Sequence, residues 1–150
     1  MKLFLLIIIT ILVIIQLYRP LKNSSSTTAE AQDFLIVENV PQSLTKIFKN
    51  SCYDCHSNNT KYAWYDNIVP FSWYVSKNIK RAKFSLNFSE WGLLEPWQRR
   101  LFIQGGIPYD INIDKMPPQN YLIMHPEAKI SDKEKKQIEA WISTIDLRKD

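Results

Sequence analysis

Apolar and polar positions divide the chain into three zones. From Leu3 to Tyr18 the run is almost wholly apolar, broken only by Thr10 and Gln16, with Lys2 before it and Arg19-Pro20 behind it. Such a run predicts a membrane-spanning helix. It would span roughly 24 Å, short for a hydrocarbon core of about 30 Å, with Lys2 snorkelling and Tyr18 at the interface. Residues 1–21 therefore read as an N-terminal anchor. The small-residue site Ala29-Glu30-Ala31 lies too far beyond the apolar run for ordinary leader cleavage, so the anchor is expected to stay attached. Residues 22–33, KNSSSTTAEAQD, lack large apolar groups and read as a flexible tether with a coil dimension of roughly 20 Å.

Over residues 34–150 the apolar positions recur at helical spacing. Val40, Leu44, Ile47 and Phe48 form a stripe behind a possible cap at Asn39 and predict a helix leading directly into Cys52. Phe71, Val75, Ile79 and Ala82 predict a second helix, with Lys77, Lys80 and Arg81 on another of its faces. A short helix over Pro96 to Gln104 is expected to turn Trp97 and Leu101 inward and to stop at Gly105-Gly106. The last helix opens on a capping box, Ser131 with Glu134, and buries Ile138, Trp141, Ile142 and Ile145. No convincing strand appears. The expected fold is one all-α domain with long loops behind an N-terminal transmembrane helix.

Composition changes this picture little. At 150 residues and 45% hydrophobic, the chain can bury one ordinary core. The formal charge of +4 is concentrated at the start: the first 22 residues hold three of the 19 basic groups and no acid, which leaves 16 against 15 in the rest. No basic stripe interleaved with stacking aromatics is present, and nucleic acid is excluded as a partner.

The candidate chemistry lies in Cys52-Tyr53-Asp54-Cys55-His56, which contains the only two cysteines of the chain. Two thiols one helical turn apart can add across the two vinyl groups of one porphyrin, and the following histidine can ligate its iron, so the motif predicts one covalently attached haem c. A redox dithiol would need a strand-to-helix setting, which the flanks lack. A zinc site on Cys52, Cys55, His56 and His125 lacks a second closely spaced ligand pair. A Cys52–Cys55 disulfide closes too small a loop to stabilise a fold of this size. Between Gly106 and Ile130, Met116 precedes Pro117-Pro118 and is the expected sixth iron ligand, with His125 as the alternative and the adjacent Met124 a further rival. Trp64, Tyr65 and Trp73 follow the motif closely enough to line a haem pocket. Lys77, Lys80, Arg81 and Lys83 offer a basic face that could dock an acidic redox partner.

The residues resemble the small bacterial haem-binding domain family, a cytochrome c-like group with an N-terminal membrane segment. The resemblance runs through Cys52 to Asn58, Tyr62, Trp64-Tyr65, Ile68, Pro70, Ser72-Trp73 and Asn87 to Trp91, then Met116-Pro117-Pro118, His125 to Ala128 and Ser131 to Trp141. It implies a cytochrome c-like helical fold over 34–150 carrying one haem. Haem attachment of this kind takes place outside the cytoplasm, so the haem domain is expected on the periplasmic side of the bacterial cytoplasmic membrane, held there by a single pass. The expected function is one-electron transfer between extracytoplasmic redox partners not identified by the sequence. The alternative is a haem-based gas or redox sensor, or a peroxidase-type domain, with an open or exchangeable sixth position.

Overall fold

The computed structural model describes residues 1–25 and 30–145. Among the described residues all regular structure is helical, apart from an isolated antiparallel bridge between Ser24 and Asn59. In chain order the helices are α1 (Lys2–Ile15), α2 (Phe34–Val37), α3 (Gln42–Ser51), α4 (Tyr53–His56), α5 (Phe71–Ser85), α6 (Pro96–Leu101), α7 (Ile107–Asn112), α8 (Gln119–Leu122) and α9 (Asp132–Ile142). Short 3-10 turns and loops join them. The all-α expectation holds.

The expected anchor does not. No helix among the described residues is long and apolar enough to cross a membrane. Helix α1 has 14 residues, about 21 Å, against a hydrocarbon core of about 30 Å. The transmembrane helix read into residues 1–21 is thus overturned, and with it the single-pass placement in a cytoplasmic membrane. The physical reason lies at Gln16. Its Nε2 donates to the Val69 carbonyl at 3.0 Å and its Oε1 accepts from the Val69 N–H at 3.0 Å, so the amide joins the chain to the loop before α5. Two residues on, the Trp73 indole N–H donates to the Tyr18 carbonyl at 2.8 Å. The apolar run therefore ends on the folded domain.

The described part of the stretch read as a tether is also in contact with that domain. Asn23 donates to the Ser57 carbonyl at 2.8 Å and to the Thr60 hydroxyl at 2.9 Å, and it accepts from Lys83 at 2.7 Å. Residues 26–29 of that stretch, including Ala29 of the expected cleavage site, lie outside the described residues.

Helix α3 leads into Cys52 as expected, but Pro41 occupies its N-cap position. Asn39 instead takes a left-handed φ of 48° just after α2, a conformation that asparagine tolerates better than most side chains. Helix α6 opens on a reciprocal Glu95–Gln98 capping box. The expected stop at Gly105-Gly106 is absent. The backbone continues through a π-helical turn, Phe102–Gly106, into α7. A π turn takes an extra residue per turn and rotates the apolar stripe. Trp97 and Leu101 on α6 face solvent, 63% and 61% exposed, while Ile103 in the π turn and Ile111 beyond it are buried.

The core is built on aromatic rings. The Phe34 ring is wholly buried and lies 5.1 Å from Phe48, 4.7 Å from Phe88, 4.9 Å from Trp91 and 6.1 Å from Trp141 between centroids. The buried Trp91 donates its indole N–H to Glu38 at 2.6 Å, which satisfies the one polar atom the cluster would otherwise strand. Ile130 and Ile138 close the cluster from the α9 side, and α9 itself starts at the Ser131–Glu134 capping box read from the sequence. Phe34→Ala is expected to cost about 3–5 kcal/mol in urea or guanidinium unfolding, because it removes a ring that four others pack against. A loss below about 1 kcal/mol would show that the cluster repacks without it.

Candidate functional site

Helices α3 and α4 meet at Cys52, which ends the first and precedes the second. The Cys52 N–H donates to the Phe48 carbonyl at 2.9 Å, and the His56 N–H donates to the Cys52 carbonyl at 2.9 Å. That single turn sets Cys55 and His56 three and four residues after Cys52, the spacing of neighbours on one helix face. Both thiols are free and half-buried. Burial pushes the Cys52 thiol up to about 12, helped by Cys55, and pushes the Cys55 thiol up to about 11, helped by the carboxylates of Asp54 and Asp66.

The His56 ring is held by its backbone neighbours. Its Nδ1 lies 2.9 Å from the Leu86 carbonyl at the end of α5. A carbonyl only accepts, so Nδ1 carries the proton and Nε2 keeps its lone pair. Burial lowers the imidazole pKa, against the opposing pull of the Leu86 and Ala82 carbonyls and the Asp110 carboxylate. The result is a neutral, oriented imidazole with one nitrogen ready to ligate.

The two residues between the cysteines are tied down as firmly. The Tyr53 ring stacks on Phe88 at 5.4 Å and 14°, and its hydroxyl donates to Asp33 at 2.7 Å. Asp54 accepts from the Tyr121 hydroxyl at 2.8 Å and from the Lys61 N–H at 3.2 Å, while its carbonyl accepts from the Thr60 hydroxyl at 2.6 Å. Burial and the bond to Asp33 raise the Tyr53 pKa, and burial together with Asp54 raises that of Tyr121. Neither Leu86 nor Tyr121 is singled out by sequence. A backbone carbonyl has no residue signature, and a tyrosine 67 positions from its partner has no local one.

Three residues were candidates for a sixth ligand, and the structure treats them differently. Met116 is half-buried and lines a small cavity of about 90 Å³ with Pro117, Leu122 and Ile130. Its N–H donates to the Asp110 carbonyl at 3.0 Å, and Asp110 is the residue whose carboxylate acts on His56. His125 has both ring nitrogens engaged: Nε2 is 2.6 Å from the Tyr65 hydroxyl and Nδ1 is 3.2 Å from Glu127. Met124 is exposed.

The three aromatic pocket candidates do not converge. Tyr65 bonds to His125, Trp64 packs edge-on to Tyr65 while remaining 75% exposed, and Trp73 reaches Tyr18. A larger cleft of about 480 Å³ lies elsewhere, lined by Lys22, Tyr62, Ile79, Lys83 and Asn87. It includes none of Cys52, Cys55 or His56, so cleft size does not locate the chemistry and the motif does.

The donor set discriminates among the chemistries open to it. A redox dithiol depends on a lowered thiol pKa, and both thiols here are raised. Among the described residues no three or more His, Cys, Asp or Glu side chains are grouped to hold a metal ion, which removes the zinc arrangement on Cys52, Cys55, His56 and His125. Two free thiols one turn apart, followed by a neutral histidine with its Nδ1 proton already committed, fit a haem group.

Comparison with known proteins agrees with that fit. A family model described as a haem-binding domain matches residues 10–144. No curated protein and no solved structure matches the chain.

The raised thiols carry a sign that can be checked. Thiolate is the nucleophile, so in the haem-free chain Cys52 and Cys55 should alkylate at pH 8 at least about tenfold more slowly than in the same chain unfolded by denaturant. Because their folded pKa values lie above the ordinary 9.0, the stability they contribute is intact below pH 9.0 and is lost as the pH rises towards about 11 to 12. A Cys52→Ser/Cys55→Ser chain should lack that part of the alkaline loss in pH-dependent unfolding.

Proposed function

This chain belongs to the haem-binding domain family, and from that premise we propose that it holds one haem c and passes single electrons between redox partners. Cys52 and Cys55 would hold the ring through thioethers, and His56 and Met116 would ligate the iron. The observation that carries this reading is the His56 Nδ1 contact with the Leu86 carbonyl at 2.9 Å, which aims the ring and fixes its tautomer directly after the two thiols. When bound, haem supplies a one-electron Fe(III)/Fe(II) couple.

The chain's own residues set the conditions for that couple. The Leu86 carbonyl fixes the tautomer of His56 and raises its basicity as a ligand. Phe88, 5.9 Å from the His56 ring, keeps water away from its buried side. Asp110 links the two ligands: its carbonyl accepts from the Met116 N–H while its carboxylate favours proton retention on His56. Thioether ligation favours the reduced state and raises the potential. His125, engaged at both nitrogens, is left to structure rather than ligation.

The test is spectroscopic and uses the full chain made with haem-maturation factors. Wild type should give a c-type pyridine haemochrome that resists acid–acetone extraction, and a methionine-to-iron charge-transfer band in the far red. Cys52→Ala or Cys55→Ala should abolish the double thioether, and His56→Ala should lose haem. Met116→Ala should lose the band and gain carbon monoxide binding, while His125→Ala should keep the band. If wild type binds carbon monoxide readily and Met116→Ala changes nothing, the sixth position is open and the sensor or peroxidase-type function replaces the carrier.

A further inference from the structure

We propose that Tyr65 is a redox-active tyrosine, giving one electron to a strong oxidant as its phenolic proton passes to His125. The inference deepens the electron-transfer reading but rests on residues that the haem ligation does not use. Tyr65 oxygen and His125 Nε2 are 2.6 Å apart. The other ring nitrogen, Nδ1, donates to the Glu127 carboxylate at 3.2 Å, so Nε2 holds the lone pair and the phenol is the donor.

A phenol that loses an electron becomes strongly acidic, and its oxidation is eased when a base at hydrogen-bond distance takes the proton in the same step. The surroundings of His125 suit that base. Tyr121 stacks on its ring at 4.3 Å and 19°, which fixes its orientation. Glu127 is already paired with it and stabilises the imidazolium that forms. The carboxylates of Asp54, Asp66 and Glu127 all bear on Tyr65, and Lys61 bears on Glu127. The Glu127 carboxylate on Nδ1 faces the positive charge that the imidazole acquires.

The Tyr65 O–H bond breaks, an Nε2–H bond forms on His125, and one electron leaves for the oxidant. The products are a neutral phenoxyl radical, an imidazolium and the oxidant reduced by one electron. The oxidant class is a strong one-electron acceptor, such as a trivalent ruthenium polypyridyl complex. Contacts lead from the motif to the surface: Asp54 to Tyr121, Tyr121 to His125, His125 to Tyr65, and Tyr65 to exposed Trp64 at 5.7 Å. Such a chain gives excess oxidising equivalents a way out.

The experiment generates a trivalent ruthenium polypyridyl oxidant by light in the presence of the full chain and freeze-quenches for electron paramagnetic resonance. A neutral tyrosyl radical is expected in wild type and absent in Tyr65→Phe. His125→Asn should slow radical formation roughly a hundredfold and remove its solvent deuterium isotope effect. Glu127→Gln, an exposed change, should slow it less. The same radical yield in Tyr65→Phe, or a wild-type rate in His125→Asn, overturns the assignment. If His125→Asn fails to fold, an unchanged rate in Glu127→Gln together with no isotope effect in wild type overturns it instead. Haem content measured on the same samples separates the two proposals: radical without thioether-bound haem overturns the carrier alone, and bound haem without a Tyr65 radical overturns this assignment alone.

Discussion

The Phe88 ring is where the hydrophobic core meets the chemistry. On one side it packs on Phe34, Phe48 and Trp91, all buried; on the other it stacks on Tyr53 and lies against His56. Helix α4 has four residues, too few for a helix to be stable by its own hydrogen bonds. Its geometry is therefore borrowed. Removing Phe88 from beneath it would take away the ring that joins the turn carrying Cys52, Cys55 and His56 to Phe34, Phe48 and Trp91.

Those polar tethers are the second organising device. With short helices and long loops, the domain relies on single side chains that bridge distant segments. Gln16 pairs with both backbone groups of Val69, Asn23 gathers the loop after the motif, and Tyr121 joins α8 to Asp54. Each is a partly buried hydrogen bond worth about 0.5–1.5 kcal/mol net. Their larger role is positional: they decide where a loop lies when no sheet or long helix does.

This explains what sequence could and could not show. The haem motif, α5, and α9 with its capping box are legible because each is a local pattern: a fixed spacing, a helical stripe, a reciprocal cap. The apolar run at the start was legible as composition but misleading as architecture, since the Gln16–Val69 pairing that ends it involves residues 53 positions apart. The apolar character of Trp97 and Leu101 predicts an inward face, but the buried positions of this region are Ile103 and Ile111, in and beyond the π turn at Phe102–Gly106 that no sequence signal marks. His125 resembled a ligand as a residue type; only the placement of Tyr65 and Glu127 shows that both its nitrogens are taken.

The pinning of Tyr53 and Asp54 has a consequence for the order of assembly. Tyr53 is held from upstream by Asp33 and Asp54 from downstream by Tyr121, so the segment between the cysteines becomes fixed only when chain on both sides of it has arrived. Once fixed, it encloses thiols that hold their protons far above neutral pH. Any reaction that consumes Cys52 and Cys55 is therefore favoured on the nascent chain, before residues near 121 have docked. A slow-folding variant would leave both thiols open for longer, and a fast-folding one would close them sooner.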